Sequence, residues 1–200
     1  MRVRTKLAMA VALALPAFAL SSQQASAHGW SVQPADRQST CADQGSYAEC
    51  GDIMYEPQSV EAPKGFPESG PADGSICSGG IERFAQLDDP RDGNWPTTKL
   101  TAGQGYTFEW TFTAEHSTDK FEYFITKDGW DPTKPLTRDD LEPEPFLTVP
   151  MNGDKPTSGL SQAGTIPTGK SGHHLILSVW TVADTANAFY SCSDVDITAA

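Results

Sequence analysis

The sequence predicts an all-β protein, an antiparallel β-sandwich interrupted by one long loop region, and three observations carry that expectation. Tyr106, Phe108, Trp110 and Phe112 alternate with Thr107, Glu109, Thr111 and Thr113, the period of two that a half-buried strand requires. Leu175, Leu177 and Val179 alternate again within residues 173–182. Seventeen glycines and 15 prolines in 200 residues supply many turns, and no strand–helix–strand rhythm is present.

Taken in chain order, Arg2, Arg4 and Lys6 precede an apolar run from Leu7 to Leu20, and Ala25-Ser26-Ala27 offers small residues where a signal peptidase reads. A secretory leader removed after Ala27 is expected, and with it an extracellular protein. The apolar run falls short of the roughly 20 residues that cross a bilayer as a helix. Residues 28–200 then form a single domain expected to act as a monomer. The full chain has a formal charge of −12; without the three leader cations, 11 basic against 26 acidic residues leave −15. That sign excludes a groove tracking nucleic acid and an anionic membrane surface as binding modes. It leaves neutral polymers and metal ions open.

Residues 28–33 read as a first strand. Residues 34–98 scatter Pro, Gly, Asp and Ser without a sustained period, a long structured loop region with a few short helical turns. Loops of that length inside a domain are usually functional. Further strands are expected at residues 106–113, 121–126, 173–182 and 189–197. The acid- and proline-rich stretch from Asp139 to Pro145 reads as a solvated loop, and Trp95, Trp130 and Phe146 as loop anchors.

An exported chain is expected to oxidise Cys41, Cys50, Cys77 and Cys192, and four cysteines allow three pairings. A local Cys41–Cys50 staple is the simplest, and Cys77–Cys192 would then tie an early loop to the last strand. The absence of any Cys-x-x-Cys pair weighs against a zinc knuckle or a thioredoxin-like site.

Cleavage after Ala27 makes His28 the first residue, so a free amine and an imidazole come within reach of one metal ion. His116 follows the alternating strand, where site residues are rigid yet exposed. One amine and two imidazoles form a three-nitrogen set suited to Cu(II) in tetragonal geometry. The amine must shed a proton to bind, which its ordinary pKa of roughly 7.7–8.0 makes inexpensive. His173 and His174 are adjacent on a strand, so they point to opposite faces and read as structural.

His28-Gly29-Trp30, the run from Tyr55 to Glu61, Gly70 to Gly74, Ala114 to Ser117, Phe124 to Lys127 with Trp130, and Ala183 to Tyr190 together resemble the bacterial lytic polysaccharide monooxygenases of auxiliary activity family 10, formerly described as chitin-binding proteins. The matches span nearly all of residues 28–200 in the family's order. The resemblance implies an immunoglobulin/fibronectin III-like sandwich, with His28 and His116 as the copper-binding histidine brace. Phe189 matches the aromatic residue beside the axial direction of the copper, and Ala114 the small residue crowding the other axial side. Glu61 matches a carboxylate that orients oxygen species or passes protons. Tyr55, Glu56, Asp184 and Asn187, around Glu61 and His116, match a flat polar surface that binds chitin. The implied reaction uses one copper ion, an external electron donor and hydrogen peroxide or dioxygen to oxidise C1 of a crystalline polysaccharide, leaving aldonic acid ends. Chitin is the first substrate expected; cellulose, a non-catalytic chitin-binding role and a copper chaperone or sensor are the alternatives.

Overall fold

The alternation in Gly105–Ala114 becomes a strand whose Phe108, Trp110 and Phe112 are buried while Thr107 and Thr113 face solvent. The computed structural model describes residues 27–43 and 49–200; of the expected leader, residues 1–27, all but Ala27 lie outside them. Nine strands are described: β1 (His28–Gln33), β2 (Glu61–Pro63), β3 (Thr98–Thr101), β4 (Gly105–Ala114), β5 (Thr118–Ile125), β6 (Leu147–Pro150), β7 (Leu160–Thr165), β8 (Gly172–Val182) and β9 (Asn187–Thr198). One short helix, α1 (Arg37–Asp43), and several single 3-10 turns complete them.

A small sheet, β1-β4-β7, packs over a wide one, β2-β9-β8-β5-β6. All pairings are antiparallel except β3, which runs parallel to the end of β9. The sandwich expectation is met, with this parallel edge as its one departure among the described strands.

Strands β8 and β9 are buried on both faces, and the two faces serve two cores. Ile176, Trp180, Val182 and Phe189 pack between the sheets with Phe108, Trp110, Phe112 and Phe121. Leu175, Leu177, Val179, Ala188 and Tyr190 pack under the long loop region against Ile53, Val60, Ile76, Phe84 and Leu87. The described residues between 34 and 98 therefore form a lid over the outer face of the wide sheet, sealed by apolar burial of roughly 25 cal/mol per Å². Cys41–Cys50 and Cys77–Cys192 are both formed, so the preferred pairing is the observed one. The second bridge pins the lid to β9.

Trp95 is buried between the guanidinium groups of Arg37 and Arg91, and the Trp130 indole donates to the His173 carbonyl at 2.9 Å. Both are the loop anchors expected. The adjacent histidines diverge as the pleat dictates: His173 Nε2 meets Asp194 at 2.9 Å, while buried His174 pairs through Nδ1 with the Thr126 hydroxyl at 2.9 Å. The stretch from Asp139 to Pro145 is largely the solvated loop expected, with one buried residue in it. Leu141 is buried and bridges Thr126, and Glu142 accepts from Lys170 at 2.6 Å. Its acids mask a single apolar anchor.

Asp36 caps α1, its Oδ1 accepting the Ser39 amide at 2.6 Å. Burial pushes this carboxyl from 3.8 up to about 7, against the opposing pull of hydrogen bonds from Ser39, Ser191 and Ser31. The folded chain thus prefers the neutral acid. This contribution to stability is fully present below pH 3.8 and is lost as pH rises through 7, on the order of 4 kcal/mol across the window. Asp36→Asn keeps an acceptor for Ser39 and does not ionise. Its stability relative to wild type is expected to improve by about that amount between pH 4 and pH 8. Calorimetric unfolding at both pH values checks it, and a pH-independent difference would contradict it.

Candidate metal centre

His28 opens β1, with its Cα opposite Ala114 at the end of β4. Gly29 is required next, because a Cβ there would lie 2.6 Å from the Phe112 ring and 2.9 Å from the Thr111 carbonyl. This close approach seats His28 on the rim of the inter-sheet core. Its ring centroid is 6.5 Å from that of Phe189, which is 1% exposed and stacks on Trp180 at 4.9 Å.

His116 lies two residues beyond Ala114, in the short connection from β4 to β5. Its main-chain carbonyl accepts the Thr118 hydroxyl at 2.9 Å, and that hydroxyl accepts the Trp180 indole N–H at 2.8 Å. Buried Trp180 therefore supports both Phe189 and the His116 backbone. On the side-chain end, His116 Nδ1 is 3.4 Å from Asp184 Oδ1. A proton on Nδ1 shared with that carboxylate would leave Nε2 available as a donor to a metal.

Glu61 reaches the same end from β2, its Cα opposite Phe189. Its Oε1 accepts the Asn187 amide at 2.8 Å. The structure thus links His28 with Ala114 and Phe189, Glu61 with Phe189 and Asn187, and His116 with Asp184. Tyr55, at 84% exposed, is the large apolar side chain most open to solvent among the described residues, and neighbouring Glu56 is ion-paired with Arg83. The turn Pro57–Ser59 that follows packs on β1, which ties this loop to the strand of His28. Trp180 and Thr118 escaped the sequence reading. Trp180 is recognisable there only as an inward strand position.

Among the described residues no three His, Cys, Asp or Glu side chains converge to hold a metal ion. Two imidazoles at this end need a further donor of another kind, and a terminal amine on His28 is such a donor. In the unprocessed chain that nitrogen is an amide joined to Ala27. The donor chemistry accordingly fits a copper ion only once residues 1–27 are gone.

A family model described as lytic polysaccharide mono-oxygenase, cellulose-degrading, matches residues 28–195. An AA10 family lytic polysaccharide monooxygenase C of Mycosarcoma maydis is 49% identical over 174 residues, 85% of this chain and 52% of that protein. GlcNAc-binding protein A of Shewanella oneidensis is 41% identical over 187 residues, 93% of this chain and 39% of that protein. The chain spans about half or less of the length of these curated relatives. Among solved structures, an AA10 enzyme from Streptomyces lividans superposes with a TM-score of 0.81 at 55% identity, covering 84% of this chain and 99% of that one. A Bacillus amyloliquefaciens CBM33 protein in complex with Cu(I) gives 0.79 at 40%, covering 86% and 100%. By the match of the family model and by these identities, the chain belongs to the lytic polysaccharide monooxygenases of auxiliary activity family 10.

Proposed function

We propose that the chain, once processed to begin at His28, is a secreted, copper-dependent monooxygenase that oxidises crystalline chitin at C1. The observation that carries the reading is the rim where His28 sits opposite Ala114 and beside Phe189, with His116 two residues further on. Family membership and a relative solved with Cu(I) support the metal. Relatives named for GlcNAc binding support chitin. The cellulose-degrading description of the family model keeps cellulose as the second reading.

Bound copper supplies one-electron chemistry, cycling between Cu(II) and Cu(I) with an external reductant to activate hydrogen peroxide or dioxygen. The protein's part is orientation and proton control. His28, the first residue of β1, and His116, in the short β4–β5 connection, would hold the ion through nitrogen donors. The Phe189 ring beside His28 and the small Ala114 opposite it offer no donor, so neither would add a protein ligand to such an ion. Glu61, fixed through Oε1 by Asn187, keeps Oε2 to hold or pass a proton. Oxygen insertion replaces the C1–H bond by C1–OH, consuming either one peroxide or one dioxygen with two electrons and two protons, and releasing water. The hydroxylated carbon then expels the adjoining sugar oxygen as an alcohol, leaving a lactone that water opens to the aldonic acid end. A flat surface bearing Tyr55, Glu56, Asp184 and Asn187 suits a crystal face that cannot thread a chain into a cleft.

Incubation of the processed protein with β-chitin, copper and ascorbate is expected to release aldonic oligosaccharides detectable by mass spectrometry. Copper binding without oxidised product from chitin or cellulose would overturn the enzyme reading. Product from cellulose alone would overturn the substrate. Tyr55→Ala is expected to weaken retention on chitin by roughly 5- to 10-fold, the ~1 kcal/mol or slightly more of one stacked ring, with unchanged copper affinity. Equal retention would remove Tyr55 from the binding face.

A further inference from the structure

Asp184, half exposed, and Asn187 depend for their placement on the loop of residues 183–186 between β8 and β9. Lys64, the residue after β2, grips that loop at both ends. Its backbone N–H donates to the Ala186 carbonyl at 3.0 Å, and its Nζ donates to the Val182 carbonyl at 3.2 Å. Six other cations, Arg37, Arg83, Lys120, Lys134, Arg138 and Lys170, pair with carboxylates. Half-buried Lys64 instead directs its ammonium to a main-chain carbonyl, where a charge-assisted bond is stronger than a neutral one. Besides the Asp184–His116 and Asn187–Glu61 contacts, the described bonds that brace the loop are the Ala183 amide to the Ser117 carbonyl at 2.7 Å and the Asn187 amide to the Thr185 hydroxyl at 3.2 Å.

We propose that Lys64 is a positioning residue of the metal face, strapping both ends of the β8–β9 loop so that Asp184 stays against His116 and Asn187 against Glu61. The role in metal binding rests on the copper reading above, while the strap itself does not. Removing the ammonium leaves the main-chain bond to Ala186 intact, so the loop loosens without unfolding. Asp184 then orients the His116 ring less firmly, and partners of that kind typically contribute 10- to 100-fold to metal affinity. A partial loss is expected because Asp184 is displaced rather than removed.

The test compares wild type, Lys64→Met and Lys64→Arg, each processed to begin at His28. In the metal-free protein, hydrogen exchange at the amides of Ala183 and Asn187 is expected to quicken about 10-fold in Lys64→Met. The midpoint of unfolding should fall by only about 3 °C or less, on the scale of ~1 kcal/mol. Cu(II) affinity should weaken roughly 3- to 10-fold with a changed electron paramagnetic resonance spectrum, and Lys64→Arg, which can still reach the Val182 carbonyl, should restore all three. Exchange and affinity unchanged in a folded Lys64→Met would overturn the proposal. So would exchange that quickens evenly along β8 and β9 without rescue by arginine, since that marks ordinary structural support. Failure of the wild type to bind copper would instead overturn the functional reading, and the exchange at Ala183 and Asn187 would still decide the strap.

Discussion

Replacing His116 by alanine is expected to weaken Cu(II) binding by roughly 10³-fold, about 4 kcal/mol, while the metal-free fold stays intact. The ring is one of the two imidazoles, His28 and His116, assigned to this end of the sandwich, and no cluster of three His, Cys, Asp or Glu among the described residues could replace it. The fold does not hang on that ring. The local backbone is fixed by Thr118 and Trp180 through the His116 carbonyl, which alanine retains. Displacement calorimetry for copper and differential scanning calorimetry of the metal-free protein separate the two effects. A variant with near wild-type affinity would refute the assignment of His116 as a ligand, and one that fails to fold would make the residue structural. Retaining Ala27 ahead of His28 should produce a loss of comparable size by a different route. An amide nitrogen replaces the amine and cannot donate a lone pair without losing its proton.

Why some of this was legible from sequence and some was not follows from how far apart the cooperating residues are. Strand β4 announces itself because one face meets the core and the other meets water, so its own residues record the period. Strands β8 and β9 were found as well, although both are buried on two faces. Leu175, Leu177 and Val179 describe only the face under the lid, while Ile176 and Trp180 fill the other. Strands β2, β3, β6 and β7 were missed. They are three to six residues long, all but β3 carry Pro, Gly or Ser, and they are strands because β9, β5 or β4 lends them hydrogen-bond partners.

The same logic divides the metal centre. His28 and His116 stand in recognisable local strings, as do Glu61, Phe189 and Ala114. What holds them does not. Glu61 meets Asn187 across 126 positions, His116 meets Asp184 across 68, and Trp180 reaches Thr118 across 62. No local pattern records such partners. Asp184 illustrates the consequence: the resemblance implies contact with polymer, yet the fold also sets it against His116. A substitution there would disturb copper and chitin together.

Removing the Cys77–Cys192 bridge with Cys77→Ala and Cys192→Ala is expected to cost about 5 kcal/mol, against about 2.6 kcal/mol for the Cys41–Cys50 pair. The difference follows from loop length, since the bridges close 115 and 9 residues and the chain-entropy term grows with the logarithm of that number. For a domain of this size the longer bridge corresponds to a fall of roughly 10–20 °C in the unfolding midpoint. Calorimetry on the two double variants without reductant tests the ratio, and equal losses would show that native packing rather than loop entropy dominates. The position of the bridge also orders the failure. Cys192 lies on β9, three residues beyond Phe189, and Cys77 lies in the lid that carries Tyr55 and Glu61. With the bridge gone, the lid is held by its apolar contacts and by ties such as the Arg37–Asp194 ion pair at 2.8 Å. Retention on chitin should therefore fall at a lower temperature than the one at which the inter-sheet tryptophan environment changes in near-ultraviolet circular dichroism. Coincident transitions would mean that lid and sandwich unfold as one unit.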